Sequence, residues 1–295
     1  MVPTHNRPKM MRRAVQSIVS QDYPGEIEVL IVFDACDEEA PDLFLPPCRT
    51  MRTMTNHRSR GLAGARNTGI DDASHDFVAF LDDDDYWLPG KLLAQMARFE
   101  RSPRPVMVGS AMVVNDGTRT HERLVPLESV GHSDLLQDRM AGPHSSTFVF
   151  RAETLRSIGM VNEHLPGSYG EDYDLLLRTA EAGLIAVVNR PLVSVNWSGQ
   201  SYFFGRWAAY ADGLTYLLEV HPEFARDRRA HGHIQSQIAF ARVAARERRT
   251  GRKWAVRALR SDPRQIKAWL ALAISARLMS SGFVVGLVQR MGKGI

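Results

Sequence analysis

The sequence predicts an α/β protein, with a mostly parallel sheet flanked by helices and a basic helical C-terminal extension behind it. Two stretches, Glu28–Asp34 and the apolar run Phe77–Leu81 that leads into Asp82, have the length of strands buried on both faces, and each runs into a carboxylate. Helical spacing alternates with them: over residues 9–20, through the glycines of 61–69, and from Lys91 to Arg101. Strand, helix, strand, strand, helix, strand is the order of a sheet wound with helices.

Val2-Pro3-Thr4 reads as the end of a strand. The helix after it carries Met10, Ala14, Val15, Ile18 and Val19 on one face, with Pro8 near its start, where a missing N–H does no harm. A short strand at Thr50–Met54 precedes Arg60–Ile70, a glycine-punctuated helix start. From Pro105 the texture changes. Val106–Asn115 reads as a long strand, Thr118–Pro126 as its polar hairpin partner, Ser146–Phe150 as a strand and Glu153–Ile158 as a short helix. Glu171–Ala182 is a helix behind the flexible Pro166–Gly170, and Ile185–Val188 and Leu192–Val195 are two short strands. Beyond Phe203 everything reads helical. The expected division is 1–200, with halves at about 1–104 and 105–200, followed by 201–295.

The chain has 295 residues, 44% apolar and 24% charged, which suits a soluble globular protein with a large core. Two cysteines, Cys36 and Cys48, without CxxC or Cys/His spacing, argue against a disulfide scaffold or a zinc site. Residues 1–20 lack the pattern of a signal peptide, so a reducing cytosol is expected. The net charge of +4 hides a polarity. Residues 222–295 carry 16 Lys and Arg against 4 Asp and Glu, a balance of +12 that leaves the first 221 residues at −8. Such a tail is expected to meet something anionic.

The second buried strand runs straight into Asp82-Asp83-Asp84-Asp85. Four adjacent carboxylates repel one another and call for a cation or open water. Hard ions such as Mg²⁺ and Mn²⁺ take oxygen ligands and are commonly shared with a substrate phosphate. A calcium loop fits badly, because Trp87 stands at the turn glycine and Leu93 at the closing glutamate. Ligands of open α/β sheets lie beyond the carboxyl ends of strands, which favours a metal–phosphate site over a solvated turn.

Five stretches then fall in register: Pro3–Pro8, the strand ending at Asp34, Gly61–Gly69, Phe80–Pro89 and Gly170–Leu175. Together they resemble glycosyltransferase family 2, over about residues 1–200. The resemblance implies the GT-A, Rossmann-like fold and transfer of a sugar from a nucleotide-sugar donor with inversion. By the same resemblance Asp82 and Asp84 would hold Mn²⁺ or Mg²⁺, with Asp82 nearer the ribose. Pro3, Thr4, Asn6, Arg7, Asp34, Arg66, Asp82 and Asp83 would receive the nucleotide sugar, and Arg66 would reach its diphosphate. Phe33-Asp34-Ala35-Cys36 departs from the usual Asp-Asp-Gly-Ser, which leaves the base open. Asp172 would be the general base, a carboxylate at a helix start where the dipole favours ionisation. Glu171, His144 and Trp197 would face the acceptor, and Trp87 is a further candidate for stacking on a sugar. Where relatives place a histidine or arginine over the diphosphate, this chain has Trp197–Ser201, so Arg206 is the alternative.

Family members begin with several hydrophobic residues before Pro-Thr, reduced here to Met1-Val2, so a longer start is expected. Arg226–Arg229, Arg242–Arg260 and Lys267–Val288 alternate basic and apolar segments. They suggest helices packed on the body, or lying on an anionic membrane at its inner face, and no transmembrane span. Nucleic-acid binding is disfavoured by the sparse aromatics. This reading leaves three kinds of acceptor open, a carbohydrate, a lipid-linked acceptor or a small molecule. The rivals are a catalytically silent nucleotide-sugar binding module and a sugar nucleotidyltransferase, whose glycine-rich basic signature is absent after the first strand.

Overall fold

The computed structural model describes residues 1–125, 127–139, 142–197 and 206–279. They divide into two compact units, one within 1–135, 139–163 and 171–197, the other within 136–138, 164–170 and 206–279.

In the first unit β1 (Val2–Thr4), β2 (Ile27–Phe33) and β3 (Arg49–Thr55) pair in parallel, in the order β1-β2-β3. Val29 to Phe33 are all exposed by 3% or less, as a strand covered on both faces requires. Thr4 lies beside Phe33 and Phe33 beside Thr55, so the three strands end on one rim. Helix α1 (Pro8–Val19) links β1 to β2 and buries Met11, Ala14, Val15, Ile18 and Val19, a stripe at helical spacing. Helix α2 (Leu62–Asp72) follows β3. Its glycines serve close packing: a Cβ at Gly64 would stand 1.8 Å from the Ser59 carbonyl oxygen.

The second sheet contains β4 (Phe77–Ala79), β5 (Tyr86–Trp87), β6 (Met107–Asn115), β7 (Thr120–Arg123), β8 (Ser129–Val130), β9 (Val149–Arg151) and β10 (Ile185–Asn196). Its path is β4-β9-β6-β10-β5, with β7 on β6 and β8 on β10. β6 and β10 are parallel and the other pairs antiparallel. Met1 stitches the two sheets together. Its ammonium donates to the Ala79 carbonyl at 2.8 Å and its carbonyl accepts from the Leu81 N–H at 3.2 Å, bracketing Phe80 as a parallel neighbour does. One apolar core spans both sheets, with Val2, Ile31, Phe33, Leu81, Val108, Val114 and Val193 among its members. Helices α3 (Lys91–Phe99), α4 (His132–Gln137), α5 (Ala152–Ser157) and α6 (Glu171–Ala182) follow the chain.

Two expectations are corrected. The segment expected as a strand from Ser146 opens as a 3-10 turn, Ser145–Thr147, because the Thr147 and Phe148 N–H groups donate to His144 and Ser145. The two strands expected between 185 and 195 are one, β10, which absorbs Pro191 by register shifts on either side of it.

The second unit holds α7 (Trp207–Val220), α8 (Arg228–Ala244), α9 (Arg248–Ser261) and α10 (Ile266–Ser275). Asp227 caps α8, accepting from the Arg229 and Ala230 N–H groups. The core between these helices is small-residue rich: Ala239, Ala255, Ala258, Ala268 and Ala271 surround Phe240, Val243 and Ile274. Among the described residues no helix is long and apolar enough to cross a membrane. Residues 280–288 of the expected last helical segment, and Pro126 of the hairpin, lie outside the described residues.

Candidate active site

The rim where β1, β2 and β3 end gathers the donor-side candidates. Thr4 donates its hydroxyl to Asp83 Oδ2 at 2.8 Å, while its carbonyl accepts the Asp34 N–H at 2.9 Å. Pro3 is buried in β1; Asn6 is exposed, in the left-handed region at φ 53°, with its amide against His5. Arg7 folds back so that Nη1 stands 3.1 Å from both Asp83 Oδ1 and Asp84 Oδ2. Both oxygens of Asp34 are engaged: Oδ1 accepts from Asn56 Nδ2 at 2.8 Å and Oδ2 from the Gly61 N–H at 3.0 Å. Asp34 therefore ties the end of β2 to the start of α2.

Arg66, 1% exposed on α2, joins the two acidic stretches of the chain. Nη2 donates to Asp82 Oδ1 at 2.5 Å and Nη1 to Glu171 Oε1. Burial opposes its charge, but Asp82 and Glu171 outweigh that and hold the guanidinium above its usual pKa. Burial likewise works to raise Asp82, and Arg66 overrides it, leaving that carboxyl below its ordinary value. Asp85 is deeply buried. It accepts from Ser146 Oγ at 2.5 Å and from the Asn196 N–H at 2.9 Å, with His144 Nδ1 at 3.8 Å. Burial pushes His144 down to about 4, so its ring is neutral near pH 7.

Among the described residues, Asp82, Asp85 and His144 bring ligand atoms within 4.8 Å of one another, while Asp84 faces Arg7. Burial and the like charges of Asp82 and Asp83 push Asp84 up to about 6, and burial also raises Asp83 and Asp85. Carboxyls that hold one another above their usual range mark a place short of positive charge. With an imidazole beside them, they fit a divalent ion such as Mn²⁺ or Mg²⁺.

Glu171 and Asp172 open α6, where four unpaired N–H groups and the helix dipole favour negative charge. Burial pushes Glu171 up to about 7 against the pull of Arg66, with Asp172 and Asp82 adding to the rise. Asp172 goes the other way. Its burial is overridden by Arg139, whose Nη2 donates to Asp172 Oδ2, and its pKa lies below the ordinary carboxylate value.

Trp197 is 37% exposed and follows Asn196, the residue that touches Asp85. The rest of that stretch, residues 198–205, lies outside the described residues, and Arg206 belongs to the other unit. Trp87 is no sugar platform. It is 5% exposed, donates Nε1–H to the Ser146 carbonyl at 3.1 Å and packs in the core. The sequence reading missed Asn56, Arg139 and Asn196, and missed Ser145 and Ser146 as partners of Asp82 and Asp85. Only Ser145-Ser146, beside His144, carried a local signal; the others meet the acids across long stretches of chain.

Carboxylates and an arginine at the carboxyl rim of a wound sheet are the arrangement of an enzyme that handles phosphorylated donors. Comparison with known proteins makes the class specific. The model of glycosyl transferase family 2 matches residues 1–159, more than half of the chain, and the chain belongs to that family. It is a glycosyltransferase. Among its relatives is a UDP-Glc:α-D-GlcNAc-diphosphoundecaprenol β-1,3-glucosyltransferase of Escherichia coli, 27% identical over 194 residues, or 64% of this chain and 71% of that protein. The crystal structure of S. aureus TarS 1–349 in complex with UDP-GlcNAc superposes with a TM-score of 0.63 at 17% identity, covering 99% of this chain and 91% of that one. A mannosyltransferase from Pyrobaculum calidifontis in complex with GDP-Man and Mn²⁺ gives a TM-score of 0.57 at 18% identity, covering 98% and 78%. The GT-A fold is thereby established.

Proposed function

We propose that the chain transfers a sugar from a nucleoside-diphosphate sugar to an acceptor hydroxyl, with inversion at the anomeric carbon and Asp172 as general base. The observation that carries this reading is Arg66, which bonds Asp82 of the first acidic stretch and Glu171 of the second, next to Asp172 in the chain. The acceptor oxygen attacks the anomeric carbon, its proton passes to Asp172, and the bond from that carbon to the diphosphate oxygen breaks. Asp172 suits the base role because it stays ionised at neutral pH. Arg66 is fixed by Asp82 and Glu171 before the donor arrives; in this reading the diphosphate is received beside it, so little reorganisation is needed in the transition state. Glu171 holds Arg66 in place, and Thr4 and Arg7 hold Asp83 and Asp84. Asp82 with Asp84, or with Asp85 and His144, would hold a divalent cation, which supplies Lewis-acid stabilisation of the leaving diphosphate.

The Escherichia coli relative acts, by its name, on a diphosphoundecaprenol-linked sugar. A lipid-linked acceptor at the inner face of the membrane is the reading it supports here, with carbohydrate and small-molecule acceptors as the other classes. A screen of nucleotide sugars for nucleoside diphosphate release, with Mn²⁺ and then with chelator, tests the proposal. The donor that turns over should lose about 10²–10⁴-fold in kcat with Asp172→Asn, at nearly unchanged donor affinity. Donor binding without turnover by the unaltered chain would favour the silent binding module.

A further inference from the structure

The second unit contains an open cleft of about 720 Å³ that none of the glycosyl-transfer chemistry uses. Arg228 and Arg229 enter it from the first turn of α8, Arg264 from the turn before α10 and Lys267 from the first turn of α10, against Asp138 and Asp262. Asp262 is already committed, accepting from the Arg264 N–H at 3.1 Å and from Gln265 Nε2 at 2.7 Å. Arg228 braces the end of α9 through the Arg260 and Ser261 carbonyls. Lys267 has no hydrogen bond among the described residues, and burial, against the pull of Asp138, holds its ammonium below the usual lysine range. His233, also in the cleft, is lowered by burial and then by Lys267. Cations crowded into a partly desolvated cavity carry a cost that a bound anion removes.

The exposed face of α10 that starts at the cleft wall with Ile266 is apolar and continues to Trp269. Ile266 is 73% exposed and Trp269 55%, three residues apart on α10, while Ala268, Ala271 and Ile274 of the same helix face the core. The Trp269 indole N–H is held by the Pro263 carbonyl at 2.9 Å. A tryptophan and an isoleucine beside a basic cavity combine the two features that hold a protein at a bilayer surface, an apolar wedge and attraction to anionic head groups.

We propose that this cleft binds the phosphate of an anionic lipid headgroup, with Arg229, Arg264 and Lys267 around the phosphate and Ile266 and Trp269 in the boundary of the acyl layer. The inference gives a site to the peripheral-membrane part of the functional reading and rests on that part alone. The test is sedimentation of the full chain with phosphatidylglycerol vesicles, with phosphatidylcholine vesicles as control. The expected result is binding to the first only. It should weaken about tenfold or more in Arg229→Glu/Arg264→Glu, two exposed positions, and fall clearly in Trp269→Ser, with melting temperatures unchanged. If the wild-type chain ignores anionic vesicles, both the membrane reading and the cleft fall. If it binds and the charge-reversed variant binds equally, the membrane reading stands and the cleft is wrong. Titration with glycerol 3-phosphate separates the sources. Competition at the cleft together with vesicle binding insensitive to Trp269→Ser would make it a soluble-phosphate site and overturn the lipid assignment. Throughout, nucleotide-sugar turnover with a soluble acceptor should be untouched by these variants.

Discussion

Replacing Arg139 by glutamine should move the acid limb of the pH–rate profile upward. As the proposed base Asp172 must be ionised to take a proton, and Arg139 is the principal group that keeps it below the ordinary value of 3.8 against burial. Without Arg139, burial dominates and the pKa rises, so activity is lost at a higher pH. A pair of charges about 4 Å apart at an effective dielectric near 20 is worth about 4 kcal/mol, or about 3 pH units at 1.36 kcal/mol per unit. The two side chains are 19% and 24% exposed, so solvent screens part of this, and a rise of about 1–3 units is expected. The assay is kcat/KM for nucleoside diphosphate release between about pH 4 and 9. Donor and divalent cation are kept saturating, so that the 82–85 carboxyls stay ionised. Wild type and variant should converge at high pH and separate in acid. An acid limb that stays in place, or moves down, would refute Asp172 as the titrating base.

Arg66→Ala leaves Glu171 and Asp82 buried without their cation and should cost about 3–5 kcal/mol in denaturant melts, besides abolishing turnover. Gly64→Ala should destabilise by about 3 kcal/mol, because the new Cβ meets a backbone oxygen that has no room to yield; a near-neutral melt would show that α2 can shift. Lys91→Met should stabilise by about 1–3 kcal/mol at pH 7. Lys91 Nζ is fully buried, finds no hydrogen-bond partner among the described residues and lies 4.0 Å from the Trp87 ring centroid. Burial holds its folded pKa well below 10.5, so this group costs stability as pH falls from 10.5 toward the folded value. Urea melts across that range should show the wild type gaining on the variant as pH rises.

Much of this was legible because the signals were local. Val29–Phe33 announces a buried strand by composition; Phe77–Leu81 announces another, of which only Phe77–Ala79 pairs as a strand, with Phe77 and Ala79 half-buried, and the acids that follow announce a rim. Gly61–Gly69 announced a helix start, and the structure adds why glycine stands there: the Ser59 carbonyl oxygen lies 1.8 Å from where a Cβ at Gly64 would be. The turn at Ser145–Thr147 was hidden because its residues also suit a strand, and only the His144 and Ser145 carbonyls decide between the two. Arg139 was hidden for a different reason: nothing within its own segment distinguishes it from a solvated arginine, and its meaning comes from α6, 33 residues on. Asp34 looked like a ligand for a base, yet Asn56 and Gly61 give it an equal part in holding the rim, and no periodicity foretells that.

The guanidinium of Arg66 also bears on how the first unit comes apart. Its two carboxylate partners are separated by 89 positions, Asp82 after β4 and Glu171 at the head of α6. An intermediate that had formed one side without the other would strand a dry ion in its interior. Such species should be too costly to accumulate, so the strands that lead to Asp82 and helix α6 should melt in a single transition.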